Sequence, residues 1–215
     1  DLERQRVNLG YDQEINREIS LSDLDVSPLE KKFAAIGHDF DQNAMLNFKL
    51  IREESSNLYP TNGLLILLGQ LPHVRIKCSR FKGLNMDIFL DRKEYEGDLF
   101  AQLEQAENFI KNYISLKSEI KGLQRVDQYE VPEEAIRESI INAVVHRDYT
   151  NPGRDIKIGI YDDIINIVSP GGLPGTLTED DMLQGRSEIR NRTIARVFKE
   201  LGFIEQWGSG VRRVI

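Results

Sequence analysis

The chain has 215 residues, of which 40% are hydrophobic and 29% are charged, a composition typical of a soluble globular protein with one or two domains. Its formal net charge of -7 argues against general affinity for nucleic acid, so a DNA contact would need a local basic patch or another domain. Cys78 is the single cysteine, which excludes an internal disulfide and a cysteine-based zinc site and favours a cytoplasmic location.

The chain carries no sign of a membrane segment or a leader. No apolar run approaches the roughly 18 residues that a spanning helix needs. Four of the first ten residues are charged and none of them belongs to an apolar run, unlike a signal peptide. Both ends interrupt a pattern, so we expect the natural protein to be longer.

The first half of the chain predicts a mixture of helices and strands. Residues 1–20 are polar and aperiodic, which favours a linker or an extended arm. A helix is predicted over 28–36, ending at Gly37, and a second over 43–54, followed by a loop at 58–63.

The middle of the chain continues this mixed pattern. Residues 64–68 form an apolar segment that predicts burial. Strands are predicted at 74–78 and 86–90, where apolar and polar residues alternate. A long amphipathic helix is predicted over 98–118, with a connection at 119–131.

The last third has clearer boundaries. Pro132 predicts the first turn of a helix that ends before the turn at 151–153. Residues 156–161 and 164–168 predict a β-hairpin through two aspartates. Thr178 is a candidate cap for a short acidic helix, and a last helix is predicted over 192–201.

The helix after Pro132 carries a polar stripe. Glu138, Asn142 and His146 are spaced by four residues and therefore share one face. If this face is buried, the acid, the amide and the imidazole need a network, a metal or a ligand to satisfy them. The alternative is a structural network in which Glu138 pairs with Arg147 or Arg137.

Four ordered motifs extend this site. His146-Arg147-Asp148-Tyr149 is followed by the glycine loop 169–174 (Ser-Pro-Gly-Gly-Leu-Pro), by Arg190-Asn191 and by Gly208-Ser209-Gly210. The order resembles the ATP-binding core of the GHKL superfamily. More closely, over about residues 60–215, it resembles the divergent module at the C-terminus of transcriptional regulators, often labelled a RecG-type helicase C-terminal domain.

The resemblance implies a fold class and a domain plan. The fold is expected to be α+β, a two-layer α/β sandwich resembling the GHKL (Bergerat) ATP-binding fold, preceded by a smaller α+β segment. The expected division is a linker and helical segment at 1–60, an α+β segment at 61–130 and a C-terminally truncated nucleotide-binding core at 131–215. Family members usually carry an upstream Schlafen/AlbA-type DNA-binding domain and a downstream winged helix.

The resemblance also implies ATP and magnesium as ligands. Glu138 would orient or activate water, and the Asn142 amide would reach the magnesium on the phosphates. Ser169 stands where nucleotide-binding relatives carry the aspartate that accepts the adenine amino group. The remaining implied nucleotide-binding residues are His146, Asp148, Gly171, Gly172, Arg190, Asn191, Gly208, Ser209 and Gly210.

The sequence is compatible with three functions. The first is a regulatory nucleotide-binding module of a transcriptional regulator, expected to be a homo-oligomer that reaches DNA through domains outside this chain. The second is an active magnesium-dependent ATPase with Glu138 as the base. The third is a degenerate dimerisation scaffold, which Ser169 favours, and in which the glycines only form turns. A helicase motor is disfavoured because the chain lacks a Walker-type phosphate loop.

The first half of the chain also carries a stripe of basic residues. Arg75, Lys77, Arg80 and Lys82 alternate along a predicted strand. They could contact DNA phosphates, or they could simply line a solvent-facing strand.

Overall fold

The computed structural model describes residues 10–121, 124–173, 177–178, 180–181, 184, 186 and 188–204, with the backbone alone at 116–121 and 124–128. The helices are α1 (Ser27–Ala35), α2 (Gln42–Asn47), α3 (Asn62–Leu67), α4 (Leu99–Tyr113), α5 (Glu133–Val145) and α6 (Arg192–Glu200). The strands are β1 (Ile51–Glu54), β2 (Asn57–Pro60), β3 (Ile76–Phe81), β4 (Phe89–Tyr95), β5 (Leu116–Lys121), β6 (Gln124–Tyr129), β7 (Ile156–Ile160) and β8 (Ile165–Val168).

A four-stranded sheet organises the chain, in the order β4-β3-β7-β8. The central pair β3 and β7 is parallel, and the outer pairs are antiparallel. Ile76 and Cys78 lie opposite Ile156 and Ile158, and all four side chains are buried. Helices α4 and α5 cover this apolar face, which gives an α+β fold with one layer of helices on one sheet.

The sheet joins distant parts of the sequence. Strand β3 belongs to the segment 61–130, whereas β7 belongs to the segment 131–215. The other described strands form two smaller hairpins, β1-β2 and β5-β6. The hairpin predicted around Asp162 and Asp163 is present as β7 and β8.

Two predicted helices are too long. The helix predicted over 43–54 ends at Asn47, and Ile51–Glu54 is a strand instead. The turn between β1 and β2 uses Ser55 and Ser56, both with a positive φ (51° and 64°), as a tight hairpin requires. The sequence lacks the Asn-Gly or Asp-Gly signal of such turns, and this hairpin was therefore missed.

The region after α4 was also predicted wrongly. The helix ends at Tyr113 rather than 118, and Leu116–Lys121 is a strand. It pairs with Gln124–Tyr129, which lies in the stretch expected to be a connection. Pairing between neighbouring strands overrides the weak local helix preference of this sequence.

The N-terminal segment is not a free arm where it is described. Tyr11–Gln13 and Leu21–Asp23 form short 3-10 turns, and Asp12 is fully buried. Ile15 forms an isolated antiparallel bridge with Thr61. Residues 10–16 therefore pack against the folded domain, and the prediction of a linker fails for them.

Across the described ranges, every helix is too short or too polar to cross a bilayer.

Candidate functional site

The polar stripe of helix α5 is only partly exposed. Its buried face consists of Ile136, Ile140, Ile141, Ala143, Val144 and Val145. Asn142 is exposed and Glu138 is half-buried. The stripe is therefore less buried than the apolar sequence around it predicts, and Asn142 is accessible to a ligand.

The cations proposed as partners of Glu138 are used elsewhere. Arg147 is fully buried and donates to the carbonyl oxygens of His73 and Arg154, both at 2.8 Å. The Arg137 guanidinium lies 5.3 Å from the centre of the Phe203 ring. The structural network proposed for Glu138 therefore does not form through these two residues.

The burial of Arg147 and its bonds to main-chain carbonyls were not predicted from the sequence. Its guanidinium also lies 4.8 Å from the Tyr149 ring, and the Tyr149 hydroxyl donates to the Val144 carbonyl at 3.1 Å. A buried arginine is costly unless hydrogen bonds replace its hydration. Arg147 and Tyr149 therefore fix the end of α5. The sequence signal for this burial was an arginine placed next to the apolar face of a helix.

His146 ends α5 with its amide bonded to the Asn142 carbonyl. Burial and the nearby Arg190 charge lower the pKa of the His146 imidazole, against a hydrogen bond with the Glu188 main chain. A neutral imidazole beside Arg190 follows at neutral pH, which suits a hydrogen-bonding role better than the binding of an anion.

Asp148 lies at the junction of α5 and the glycine loop. Its Oδ1 accepts from the Thr150 amide at 3.0 Å and from the Thr150 hydroxyl at 2.6 Å, and its Oδ2 is 3.4 Å from Arg190 Nη1. The Thr150 hydrogen bonds, with smaller contributions from Arg190 and Arg147, lower the pKa of Asp148. Asp148 is therefore ionised at neutral pH.

The glycine loop attaches directly to this junction. The Asp148 amide donates to the Pro170 carbonyl at 2.7 Å. The Ser169 hydroxyl donates to the Ala143 carbonyl at 2.6 Å, within α5. The loop is thus fixed to the last turn of the helix from two sides.

The two glycines of the loop differ in their surroundings. Gly171 has φ +112°, and a Cβ there would lie 2.7 Å from Asp148 Cβ and 3.0 Å from Arg190 Nη1. A Cβ on Gly172 would meet open space, and the Gly172 carbonyl accepts from Arg190. Gly171 serves a close contact within the protein, whereas Gly172 faces the accessible side.

Arg190 and Asn191 complete the cluster from the start of α6. Arg190 bridges Asp148 and Gly172, and its Nε is buried without a partner among the described residues. Asn191 is 1% exposed, and its Nδ2 donates to the carbonyls of Val145 and Arg147, both at 2.8 Å. Asn191 therefore holds the start of α6 against the end of α5, whereas Arg190 lies on the accessible side of the site.

The structure brings most of the predicted site residues together. The end of α5, the glycine loop and the start of α6 meet around His146, Asp148, Gly171 and Arg190. Glu138 is two helical turns away, about 12 Å along α5. Gly208, Ser209 and Gly210 lie outside the described residues, so their place at this site stays a prediction.

The residues at this site could hold a magnesium ion only together with the phosphates of a bound nucleotide. Within the described ranges, no group of three His, Cys, Asp or Glu side chains could hold a metal ion. Asn142 offers one exposed amide oxygen. Magnesium usually keeps several waters and takes few protein ligands beside substrate phosphates, so one amide suits such a site.

The basic residues Arg75, Lys77 and Arg80, in and directly before β3, are paired with carboxylates. Arg75 Nε and Lys77 Nζ lie 3.0 Å and 2.8 Å from the Asp155 carboxylate oxygens. Arg80 Nη2 lies 2.6 Å from Asp162 Oδ1. These pairs favour a structural role over contact with DNA phosphates.

A comparison with known protein families supports the resemblance to an ATPase-like module. Residues 153–215 match the family described as "Putative ATP-dependent DNA helicase recG C-terminal". That match contains the glycine loop and the start of α6, and it ends with the chain. No curated protein sequence matches the chain.

A solved structure has the same fold. The DIP2311 protein from Corynebacterium diphtheriae superposes with a TM-score of 0.78 at 23% sequence identity. The match covers 99% of this chain and 44% of the other. At this identity the likeness establishes the fold, and this chain corresponds to less than half of that protein.

Proposed function

We propose that this chain is the regulatory, ATP-type nucleotide-binding module of a transcriptional regulator whose DNA-binding domains lie outside the chain. The observation that carries the proposal is the meeting of the α5 end, the glycine loop and Arg190. The ATPase-like family match over 153–215 supports it. A homo-oligomer is part of the proposal, since a nucleotide that prefers one arrangement of domains or subunits would shift the population toward it.

Arg190 supplies the positive charge that phosphates need. Its contact with Asp148 measures 3.4 Å, longer than the 2.7–2.9 Å typical of a tight charged hydrogen bond. The guanidinium therefore keeps donor capacity for a phosphate oxygen. Asn142, exposed on the same helix as His146, would face the metal ion that accompanies the phosphates.

Ser169 can still accept a hydrogen bond from adenine. Its single hydroxyl proton is directed to the Ala143 carbonyl, which leaves oxygen lone pairs available as acceptors. An uncharged acceptor is weaker than the carboxylate of relatives. We therefore expect modest affinity and modest preference for ATP over GTP.

Isothermal titration of the chain with ATP and GTP, with and without Mg²⁺, tests this proposal. We expect saturable binding of ATP, and Asn142→Ala should weaken it only when Mg²⁺ is present. Asn142 is exposed, so the variant should fold normally. Absence of binding heat at about 1 mM nucleotide would reject the proposal. Oligomers that persist in such a non-binding chain, seen by light scattering, would favour the scaffold instead.

An active ATPase is the second candidate. It is favoured by the placement of Arg137 and Arg147, which leaves the half-buried Glu138 carboxylate unclaimed by either cation. Glu138→Gln should abolish phosphate release and leave ATP affinity within about twofold, if Glu138 activates water. Equal turnover in wild type and variant would exclude this role.

A further inference from the structure

A buried carboxylate from the start of the chain caps a helix near its other end. Asp12 Oδ2 accepts from the amides of Thr193 at 2.6 Å and Ile194 at 3.2 Å. These are the second and third residues of α6, whose amides have no partner inside the helix. Asp12 therefore does what an N-cap residue ordinarily does, from 181 positions away.

The local N-cap position is engaged elsewhere. Asn191 precedes α6, but its side chain donates to Val145 and Arg147 at the end of α5. The first turn of α6 is thus held from two directions. Asp12 holds it from the N-terminal segment, and Asn191 holds it to the candidate site.

The segment that carries Asp12 is itself firmly attached. Asn62 Nδ2 donates to the Tyr11 carbonyl at 3.1 Å, and the Asn62 amide donates to the Glu14 carbonyl at 2.9 Å. A Cβ on Gly63 would lie 2.7 Å from the Asp12 carbonyl oxygen and 2.8 Å from Thr193 Cγ2. The segment around Asp12, α3 and the start of α6 are therefore closely packed at Gly63, with no room for an added Cβ.

Contact also reaches the main chain of Arg190. A Cβ on Gly10 would lie 3.1 Å from the Arg190 carbonyl oxygen and 3.0 Å from Asp12 Oδ1. Arg190 in turn bridges Asp148 and Gly172. A continuous set of contacts therefore runs from Gly10 to the glycine loop.

We infer that Asp12 is a positioning residue, which couples the segment Gly10–Asn16 to the candidate site by fixing the start of α6. When the cap is present, Arg190 and Asn191 are held against the end of α5. When it opens, both ends of this set of contacts loosen together, since packed elements shift as units rather than bend continuously. The structural coupling stands without the proposed function, whereas its effect on ligand binding rests on that function.

Hydrogen exchange tests the coupling at named amides. Asp12→Ala should speed exchange at Thr193 and Ile194, which lose their acceptor. It should also speed exchange by about tenfold at Asn191 and Asp148, whose amides bond to Val145 and Pro170. Asp12→Asn keeps an acceptor oxygen and should restore wild-type exchange at all four amides.

Asp98→Ala is the matched control. Asp98 caps α4 by accepting from the Ala101 amide at 3.0 Å, a comparable bond in another helix. This variant should speed exchange at Ala101 and leave Asn191 and Asp148 unchanged. Should Asp12→Ala fold poorly, Gly63→Ala perturbs the same contact by crowding and should also accelerate exchange at Asn191.

The coupling is overturned if Asp12→Ala accelerates only Thr193 and Ile194. A second arm uses ATP titration, where Asp12→Ala should weaken binding, Asp12→Asn should restore it and Asp98→Ala should leave it unchanged. If wild type binds no nucleotide, the proposed function fails, and the exchange rates at Asn191 and Asp148 still decide the coupling.

Discussion

At the scale of single residues, the contact between the glycine loop and the end of α5 depends on the missing side chain of Gly171. Its φ of +112° is costly for any residue with a side chain, and an added Cβ would lie 2.7 Å from Asp148 Cβ. The same position therefore restricts both backbone conformation and packing.

We predict that Gly171→Ala destabilises the chain by about 2–5 kcal/mol, the sum of backbone strain and overpacking. Gly172→Ala is the control, because a Cβ there meets open space. Urea unfolding of both variants measures the difference. Equal stability of the two would show that the close contact at Gly171 contributes nothing.

Asp12 makes stability depend on pH in an unusual direction. Burial raises the pKa of Asp12 from its ordinary 3.8 to about 6, against the hydrogen bonds from Thr193 and Ile194. Of the other charged or titratable groups near it, Arg192 lowers this pKa, and Tyr149 lies close by. The native state therefore binds more protons than the unfolded state between about pH 4 and pH 6.

Asp12 therefore makes its full contribution to the free energy of unfolding below pH 4, and this contribution is lost as the pH rises to 6. We predict a contribution of about 3 kcal/mol over that range. The difference in unfolding free energy between wild type and Asp12→Asn, measured at several pH values, isolates it from the carboxylates with lowered pKa. A difference that does not change between pH 4 and 6.5 would contradict the prediction.

At the scale of elements, the candidate site is a junction of three segments rather than a property of one helix. Helix α5 contributes its last turn, the loop after β8 contributes Ser169 to Gly172, and α6 contributes its first residues. Asn191 connects α5 and α6 through two hydrogen bonds to buried carbonyls. The alignment of the two helices depends on this side chain.

Asn191→Ala should therefore lower the free energy of unfolding by about 1–3 kcal/mol, because the buried Arg147 carbonyl loses its side-chain donor and the Val145 carbonyl keeps only the Asn191 main-chain amide. Asn166→Ala, on the exposed face of β8, is a control with the same chemical change. Chemical denaturation at constant m-value measures both. A loss below about 0.5 kcal/mol for Asn191→Ala would mean that other donors replace the amide.

Prediction from sequence succeeded for elements whose signals are local. The β7-β8 hairpin alternates apolar residues over two adjacent runs, and α5 begins after Pro132 as the pattern indicated. It failed for β1, β2, β5 and β6, where strand pairing outweighs propensity. The stripe Glu138, Asn142 and His146 was found by spacing, but its exposure was not.

At the scale of the whole molecule, acidic side chains neutralise the basic strand. The net charge is -7, and the cations of β3 are paired with Asp155 and Asp162. Long-range repulsion of a polyanion therefore outweighs any local attraction on this face.

We predict that the chain alone binds duplex DNA with a Kd weaker than about 100 µM at physiological salt, beyond the usual range for non-specific binding. Fluorescence anisotropy with a labelled duplex measures this. Asp155→Asn, which frees Arg75 and Lys77 in part, should strengthen the interaction. Saturable wild-type binding that weakens steeply with added salt would contradict the prediction.

The sequence by itself determined the α+β class, the hairpin, the polar spacing on α5 and the order of motifs that resembles the GHKL superfamily. Each depends on residues close together in the chain, where periodicity and turn chemistry act directly. The tertiary structure alone decided that Arg147 is buried, that Asn191 joins α5 to α6 and that Asp12 caps α6. These depend on contacts between distant residues, whose energies come from burial and from hydrogen bonds that no local pattern encodes.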